Sequence, residues 1–276
     1  MTRLTDWIGR ETNVECRLDP WRAQALHATL DAAYPAPEAG AALRPGWHWC
    51  YFLDVVASAQ LGTDGHPQRG GFLPPVPLPR RMWAGSRIEF LAPLALGDEA
   101  RKVSRIANVE EKSGRSGRLC FVNVEHDYYG SNGLAIREHQ DIVYRDPPTG
   151  EAPSPPRAPT DAVWRRAWSF DAPRLFRYSA LTFNSHRIHY DRPYAMDAEG
   201  YPGLVVHGPL LATTLLELVS ECAPRQRVRA FEFRAVAPVF DGEPFEACAQ
   251  PDGDGADVWI VDARGGLHMR GRVAFG

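Results

Sequence analysis

Lysine is almost missing from this chain. Of 31 basic residues only Lys102 and Lys112 are lysines, a bias read as genome composition first and function second. Cysteine is sparse too: Cys16, Cys50, Cys120, Cys222 and Cys248 are an odd five, with no Cys-x-x-Cys pair. That argues against a disulfide framework and against a cysteine-rich zinc site. No apolar run reaches the ~18 residues that a membrane span needs. Met1 to Arg10 is polar and lacks an apolar core, so no signal peptide is expected and reduced cytoplasm is the expected compartment. Positive charge is not in excess. The net charge is −3, which speaks against a strongly basic nucleic-acid binder.

What is present is an ordinary globular composition, 44% hydrophobic and 24% charged. At 276 residues the chain exceeds the usual single compact core, so two structural units or one large fused unit are expected. The run Asp146 to Thr160, DPPTGEAPSPPRAPT, is rich in proline and divides the chain near its middle. It reads as a linker between a first unit, 1–145, and a second, 161–276.

The two halves share a faint repeat. Ala92-Pro93-Leu94-Ala95-Leu96-Gly97-Asp98 matches Ala237-Pro238-Val239-Phe240-Asp241-Gly242-Glu243, and Gly133 to Arg137 matches Gly266 to Arg270. Both pairs come in the same order, which suggests duplication of one structural unit. Each half reads as a helix-bearing start and a strand-rich end. Trp21 to Leu30 has helical composition, with Asp19 as cap and Pro20 in the first turn. The run Leu210 to Leu218, after Gly208-Pro209, is apolar almost all round and predicts a buried helix. Alternating stretches over 118–128, 134–144, 229–235, 245–250, 258–261 and 267–275 predict antiparallel strands. The expected class is α+β, a sheet wrapped on a central helix, formed twice.

The chemistry concentrates in residues 178–191, Tyr-Ser-Ala-Leu-Thr-Phe-Asn-Ser-His-Arg-Ile-His-Tyr-Asp, followed by Val206-His207-Gly208-Pro209. Imidazole takes or gives a proton near neutrality. A backbone N–H at a glycine opening a helix can hold a developing oxyanion. Together they point to acid–base work on a carbonyl compound. The segment Lys112 to Gly117 looks superficially like a phosphate loop, but it lacks that spacing and reads as a hairpin turn.

The motif Phe-Asn-x-His-x-Ile-His-Tyr-Asp with Val-His-Gly-Pro resembles the MaoC-like hydratases and dehydratases of the hot-dog fold. The segments Trp47 to Phe52, Gly70 to Gly85 and Gln140 to Arg145 are similar to the partner half of one branch. That branch holds the type-2 hydroxyacyl-thioester dehydratases and the mesaconyl-CoA and itaconyl-CoA hydratases. The resemblance covers almost the whole chain. It implies a tandem hot-dog protein with a non-catalytic first half, and reversible hydration of an α,β-unsaturated acyl thioester with no cofactor and no metal. It implies an acyl-CoA or acyl-carrier substrate, no nucleic acid or membrane partner, and a possible homodimer.

The superfamily motif runs Asp, any residue, Asn, Pro, aliphatic, His, and falls here on Asn184, Ser185, His186, Arg187, Ile188 and His189. The terminal histidine is kept. Asn184 replaces the aspartate, and a carboxamide carries no proton at neutral pH. The expected catalytic residues are His189 as base, Asn184 and the Gly208 N–H. Tyr178, His186, His207, Arg80 and Arg81 are the expected substrate-binding residues. Each has a plainer reading. Asn184 caps a helix start, His186 is a supporting or surface histidine, Gly208 serves backbone shape, Asp191 faces solvent, and Arg80 and Arg81 are solvated surface. For a substrate with a second carboxylate, Arg80, Arg81, Arg145, Arg177 and Arg187 are all eligible. The other function classes in play are 3-hydroxyacyl-thioester dehydratase of fatty-acid synthesis, non-catalytic acyl-thioester binding subunit, and thioesterase.

Overall fold

A computed structural model describes residues 3–114, 117–146 and 154–276. Part of the expected linker, 147–153, and the tip of the 112–117 turn, 115–116, lie outside the described residues. The first half contains β1 (Glu11–Arg17), α1 (Pro20–Thr29), β2 (Arg80–Phe90), β3 (Glu99–Gly114), β4 (Gly117–Gly130) and β5 (Gly133–Arg145). The second contains β6 (Trp164–Trp168), α2 (Ala172–Leu181), α3 (Gly208–Cys222), β7 (Val228–Ala235), β8 (Phe245–Pro251), β9 (Gly255–Asp262) and β10 (Leu267–Phe275).

All ten strands form one sheet, in the order β1-β3-β4-β5-β2-β7-β10-β9-β8-β6. The last five repeat the first five in reverse, which is the order expected of two copies of one unit joined edge to edge. The repeat read from sequence is kept at atomic detail. Leu91 and Ala92 N–H donate to Ala135 O at 2.8 and 3.1 Å; Val236 and Ala237 donate to His268 O at 2.8 and 3.1 Å. The isolated bridge Ala42↔Ala95 has its counterpart in Val205↔Phe240. The tandem hot-dog layout is therefore present.

Alternation builds the strands. Along β4, Cys120, Val122, Val124, His126 and Tyr128 are buried and the residues between them are not. The caps work as local chemistry requires: Asp19 accepts from Trp21 N at 2.9 Å and Asp171 from Arg174 N at 3.1 Å. Helix α3 is buried continuously from Leu210 to Val219 and packs on β6, β7, β8 and β9. Among its described residues the first half has no helix of that length. In the corresponding place stands one 3₁₀ turn, Trp47–Cys50, so the two units share one long central helix. Strands β1, β3 and β6 and helix α2 escape the sequence patterns, and β2 already opens at Arg80, inside the segment Gly70 to Gly85.

Two features weld the halves. Strands β2 and β7 pair antiparallel from Gly85↔Arg234 to Glu89↔Ala230. A Cβ on Gly85 would meet Phe233 O at 2.3 Å, so only glycine permits that approach. Glu217 of α3, 2% exposed, accepts from Tyr34 Oη at 2.8 Å, Trp47 Nε1 at 2.9 Å and Arg44 Nε at 3.2 Å. Removing either partner would leave buried donors or a buried charge without a mate.

Candidate active site

Helix α2 stops at Leu181, and the chain reverses through Phe183 at φ 50°, a left-handed conformation that costs a non-glycine residue roughly 1–2 kcal/mol. The reversal is held by Asn184. Its N–H donates to Ser179 O at 2.8 Å, and its Oδ1 accepts from His186 N–H at 3.0 Å. That backbone donor fixes which end of the carboxamide is oxygen. Oδ1 thus closes a local turn ahead of the next short helix, whose N-cap is His186, instead of capping a helix itself, while Nδ2 has no acceptor among the described residues and the side chain lines the central cavity. A short 3₁₀ turn, Arg187–His189, then carries the ring of His189 inward.

His189 is 8% exposed, and its Nδ1 lies 2.7 Å from Val205 O. A carbonyl only accepts, so Nδ1 bears the hydrogen and Nε2 keeps its lone pair. Burial pushes this imidazole down to about 4, partly offset by the Val205 bond, so the ring is neutral at pH 7. Beneath it His207 stacks at 3.7 Å and 18°, and its Nε2 meets Ser179 Oγ at 2.8 Å. Two faces so close cannot both carry charge at reasonable cost. His207 also precedes α3, whose first residue is Gly208. The Gly208 N–H finds no acceptor among the described residues, and a Cβ there would meet nothing within 4 Å. The space beside this donor is left open to a ligand, at the positive end of a 15-residue helix.

A first-half loop completes the site. Arg187 N–H donates to Asp64 O at 2.9 Å, and Ser185 Oγ donates to Gly65 O. Gly65, at φ +86°, passes so close that a Cβ would lie 1.8 Å from Ser185 O. The loop brings His66 onto His186, ring centroids 3.9 Å apart, and His186 stands 5.4 Å from His189 at 89°. Burial and the neighbouring imidazoles push His186 strongly down. Asp64, His66 and His186 offer ligand atoms within 4.8 Å of one another, the metal-like grouping among the described residues. Within it, His66 Nδ1 already donates to Asp64 Oδ2 at 3.0 Å. Sequence reasoning missed Asp64 and His66; the turn Gly62-Thr63-Asp64-Gly65-His66 was the available signal.

The other expected residues sort out as follows. Tyr178 is 1% exposed and packs edge-on to His207, off the cavity wall, so it supports the site from behind rather than contacting a ligand. His207, also 1% exposed, lies mostly under His189. Asp191 binds Arg187 at 2.7 Å and orients no imidazole. Arg80 pairs with Glu199 at 3.2 Å. Arg177 is exposed and away from the cavity. Arg81 lines the cavity and has no carboxylate partner among the described residues. The cavity measures ≈ 2170 Å³ and runs between the halves, from the motif past Gly70, Pro74 and Arg81. It exceeds the ~300–1,000 Å³ of ordinary small-molecule pockets and has room for a long thioester arm. Among the described residues no helix is long and apolar enough to cross a membrane.

The chain is similar to known proteins in sequence and in fold. The profile of the family described as "Hydroxyacyl-thioester dehydratase type 2" matches residues 46–241. A "Mesaconyl-C(4)-CoA hydratase" of Chloroflexus aurantiacus is 50% identical over 273 residues, 98% of this chain and 97% of the relative. The crystal structure of HtdX of Mycobacterium tuberculosis superposes with a TM-score of 0.67 at 20% identity, covering 96% of this chain and 99% of that one. A second protein of that organism, described as having a double hotdog fold, gives 0.61 at 13% identity over 97% and 96% of the two chains. At such identities the structures speak for the fold alone.

Proposed function

The chain belongs to the hydroxyacyl-thioester dehydratase type 2 family, and on that footing we propose that it is a hydro-lyase, adding water reversibly across the double bond of an α,β-unsaturated acyl-CoA. The observation that carries the reading is His189, neutral with a bare Nε2, on the wall of the same cavity as the open N–H of Gly208. His189 takes a proton from water as the oxygen bonds to the β-carbon. The electron pair of the double bond moves onto the thioester oxygen, where Gly208 N–H and Asn184 Nδ2 stabilise it. The proton on His189 then goes to the α-carbon. Dehydration runs the same steps backwards.

The preferred acyl group is a branched dicarboxylic one of the mesaconyl kind. Arg81 supports this: a cation on the cavity wall without a carboxylate partner among the described residues suits a substrate that brings its own. The first half, 1–145, acts as a non-catalytic partner to the catalytic half, 161–276, with 146–160 as linker and one active site per chain. The edge strands β1 and β6 are available for a homodimer. All five cysteines are unpaired, which supports a reduced, cytoplasmic setting.

The test is turnover on a panel of enoyl-CoA esters with neutral and carboxylated tails, following loss of the conjugated thioester. Hydration fastest with a carboxylated tail is expected, and Arg81→Met should erase that preference. Preference for neutral straight chains would favour the fatty-acid dehydratase reading. Release of free thiol without hydration would make the protein a thioesterase.

A further inference from the structure

The loop Gly62–His66 belongs to the first half in sequence yet is tied to the motif of the second. Besides the bonds to Asp64 and Gly65 carbonyls, Arg187 Nη1 donates to Thr63 O at 3.0 Å. What this docking delivers is an Asp–His pair. Asp64 Oδ1 accepts from His66 N–H at 3.0 Å and Asp64 Oδ2 from His66 Nδ1 at 3.0 Å. The carboxylate therefore holds the tautomer in which Nδ1 bears the hydrogen. Nε2 is left as a bare acceptor with no partner among the described residues, and the ring lines the cavity. Burial and the Arg81 guanidinium push His66 down to about 4, so the acceptor is present at pH 7. The arrangement reproduces that of His189: Nδ1 anchored on an oxygen, Nε2 free. His186 is in contact with His66 and edge-on to His189, and all three rings line the same cavity.

The motif has lost its carboxylate at Asn184, and Asn184 Oδ1 is taken by His186 N–H, so that motif position offers no second acceptor to a two-hydrogen nucleophile. We propose that the Asp64–His66 pair, contributed by the first half, supplies it: His66 Nε2 accepts one O–H of the attacking water while His189 Nε2 accepts the other. This rests on the hydratase reading above. The proton bound for the α-carbon travels on His189 only. His66 gains no proton over the cycle; it fixes where the water's lone pair points. His66 is thus a water-positioning residue, and Asp64 keeps its tautomer. The first half is then not a passive wall, and neither half forms a complete site alone.

The experiment uses the full chain with His66→Ala and Asp64→Asn. Each is expected to lower kcat by ~10²–10³ while KM moves less than about threefold. Added imidazole should restore part of the His66→Ala rate. Asp64→Asn should fail because a carboxamide can donate to Nδ1 and turn the ring hydrogen onto Nε2. Long-range ¹H–¹⁵N spectra at pH 7 read this without turnover: Nε2 of His66 should be bare in the wild type and protonated in Asp64→Asn. A wild-type kcat in either variant, a loss confined to KM, a loss with lowered Tm that imidazole does not rescue, or a protonated Nε2 in the wild type would each overturn the proposal. So would activity lost to a chelator and restored by Zn²⁺, which would make the cluster a metal site. No turnover by the wild type on any enoyl-CoA would instead sink the hydratase reading, and this one with it.

Discussion

Exchanging Asn184 for Asp changes one atom, Nδ2, which has no acceptor among the described residues. Oδ1 accepts from His186 N–H at 3.0 Å, a bond an aspartate makes equally well, and the backbone N–H of residue 184 stays on Ser179 O at 2.8 Å. The turn should therefore survive, with Tm within about 2 °C of the wild type. Nδ2 is the atom replaced, and it is the one without an acceptor among the described residues. If it donates to the thioester oxygen, its loss alone costs ~10²–10³ in kcat. The new charge adds repulsion against the developing oxyanion, ~4 kcal/mol for two unit charges 4 Å apart at an effective dielectric of 20. A fall in kcat of at least ~10³ is expected, with Asn184→Ala less damaging because it removes the donor without adding charge. Initial rates over a range of enoyl-CoA concentrations give kcat and KM separately, and calorimetry gives Tm. A kcat within tenfold of wild type, with a new acidic limb in the pH profile, would refute the donor role and make residue 184 a second base.

His189→Gln should lower kcat by ~10³ or more with the fold intact, since His189 is the proposed proton carrier; residual turnover above a tenth of wild type would sink that assignment. Stability should fall as pH drops from 6.5 to 4. His126 and His189 are each pushed down to about 4 by burial, so in that window only the unfolded chain takes up protons; above it both forms are neutral, and below it the difference is constant. Each can contribute up to about 3 kcal/mol of this loss. Thermal scans from pH 7 to 5 should show a shallower slope for His126→Gln than for wild type, and equal slopes would contradict it. Glu217→Ala strands Trp47 Nε1, Tyr34 Oη and Arg44 at the joint between the halves, which should cost ~3–5 kcal/mol, or of the order of 10 °C in Tm. A change under 2 °C by calorimetry would show that the joint does not depend on this carboxylate.

Much of the molecule is local in its causes. Asp19 and Pro20 start α1 by chemistry within one turn, and the apolar run after Gly208 buries α3 whatever surrounds it. The repeat around Ala92 and Ala237 is legible because the same turn needs the same residues twice. The motif 184–189 is likewise contiguous in sequence, Gly208 follows a short way behind it, and Asn184, His186, His189 and Gly208 line one cavity. Strands β1 and β6 were not legible because edge strands bury only alternate, weakly apolar positions. Helix α2 was hidden because its polar face carries Arg174 and Arg177.

Sequence alone thus determined the family and the tandem sheet, and it marked His189 as the proposed base, since each reading rests on short runs of neighbouring residues. Only the tertiary structure decided what stands opposite that base. Asp64 and His66 are more than 110 positions from His189, and nothing in a Gly-Thr-Asp-Gly-His turn says where it docks. Likewise Arg80, Arg81 and Arg187 look alike as residues. Pairing with Glu199 and Asp191 neutralises Arg80 and Arg187, and Arg81 meets no carboxylate among the described residues. Those outcomes depend on the pairing of β2 with β7, which closes the two halves around one cavity, and a side chain's partner across such a closure is set by packing rather than by spacing.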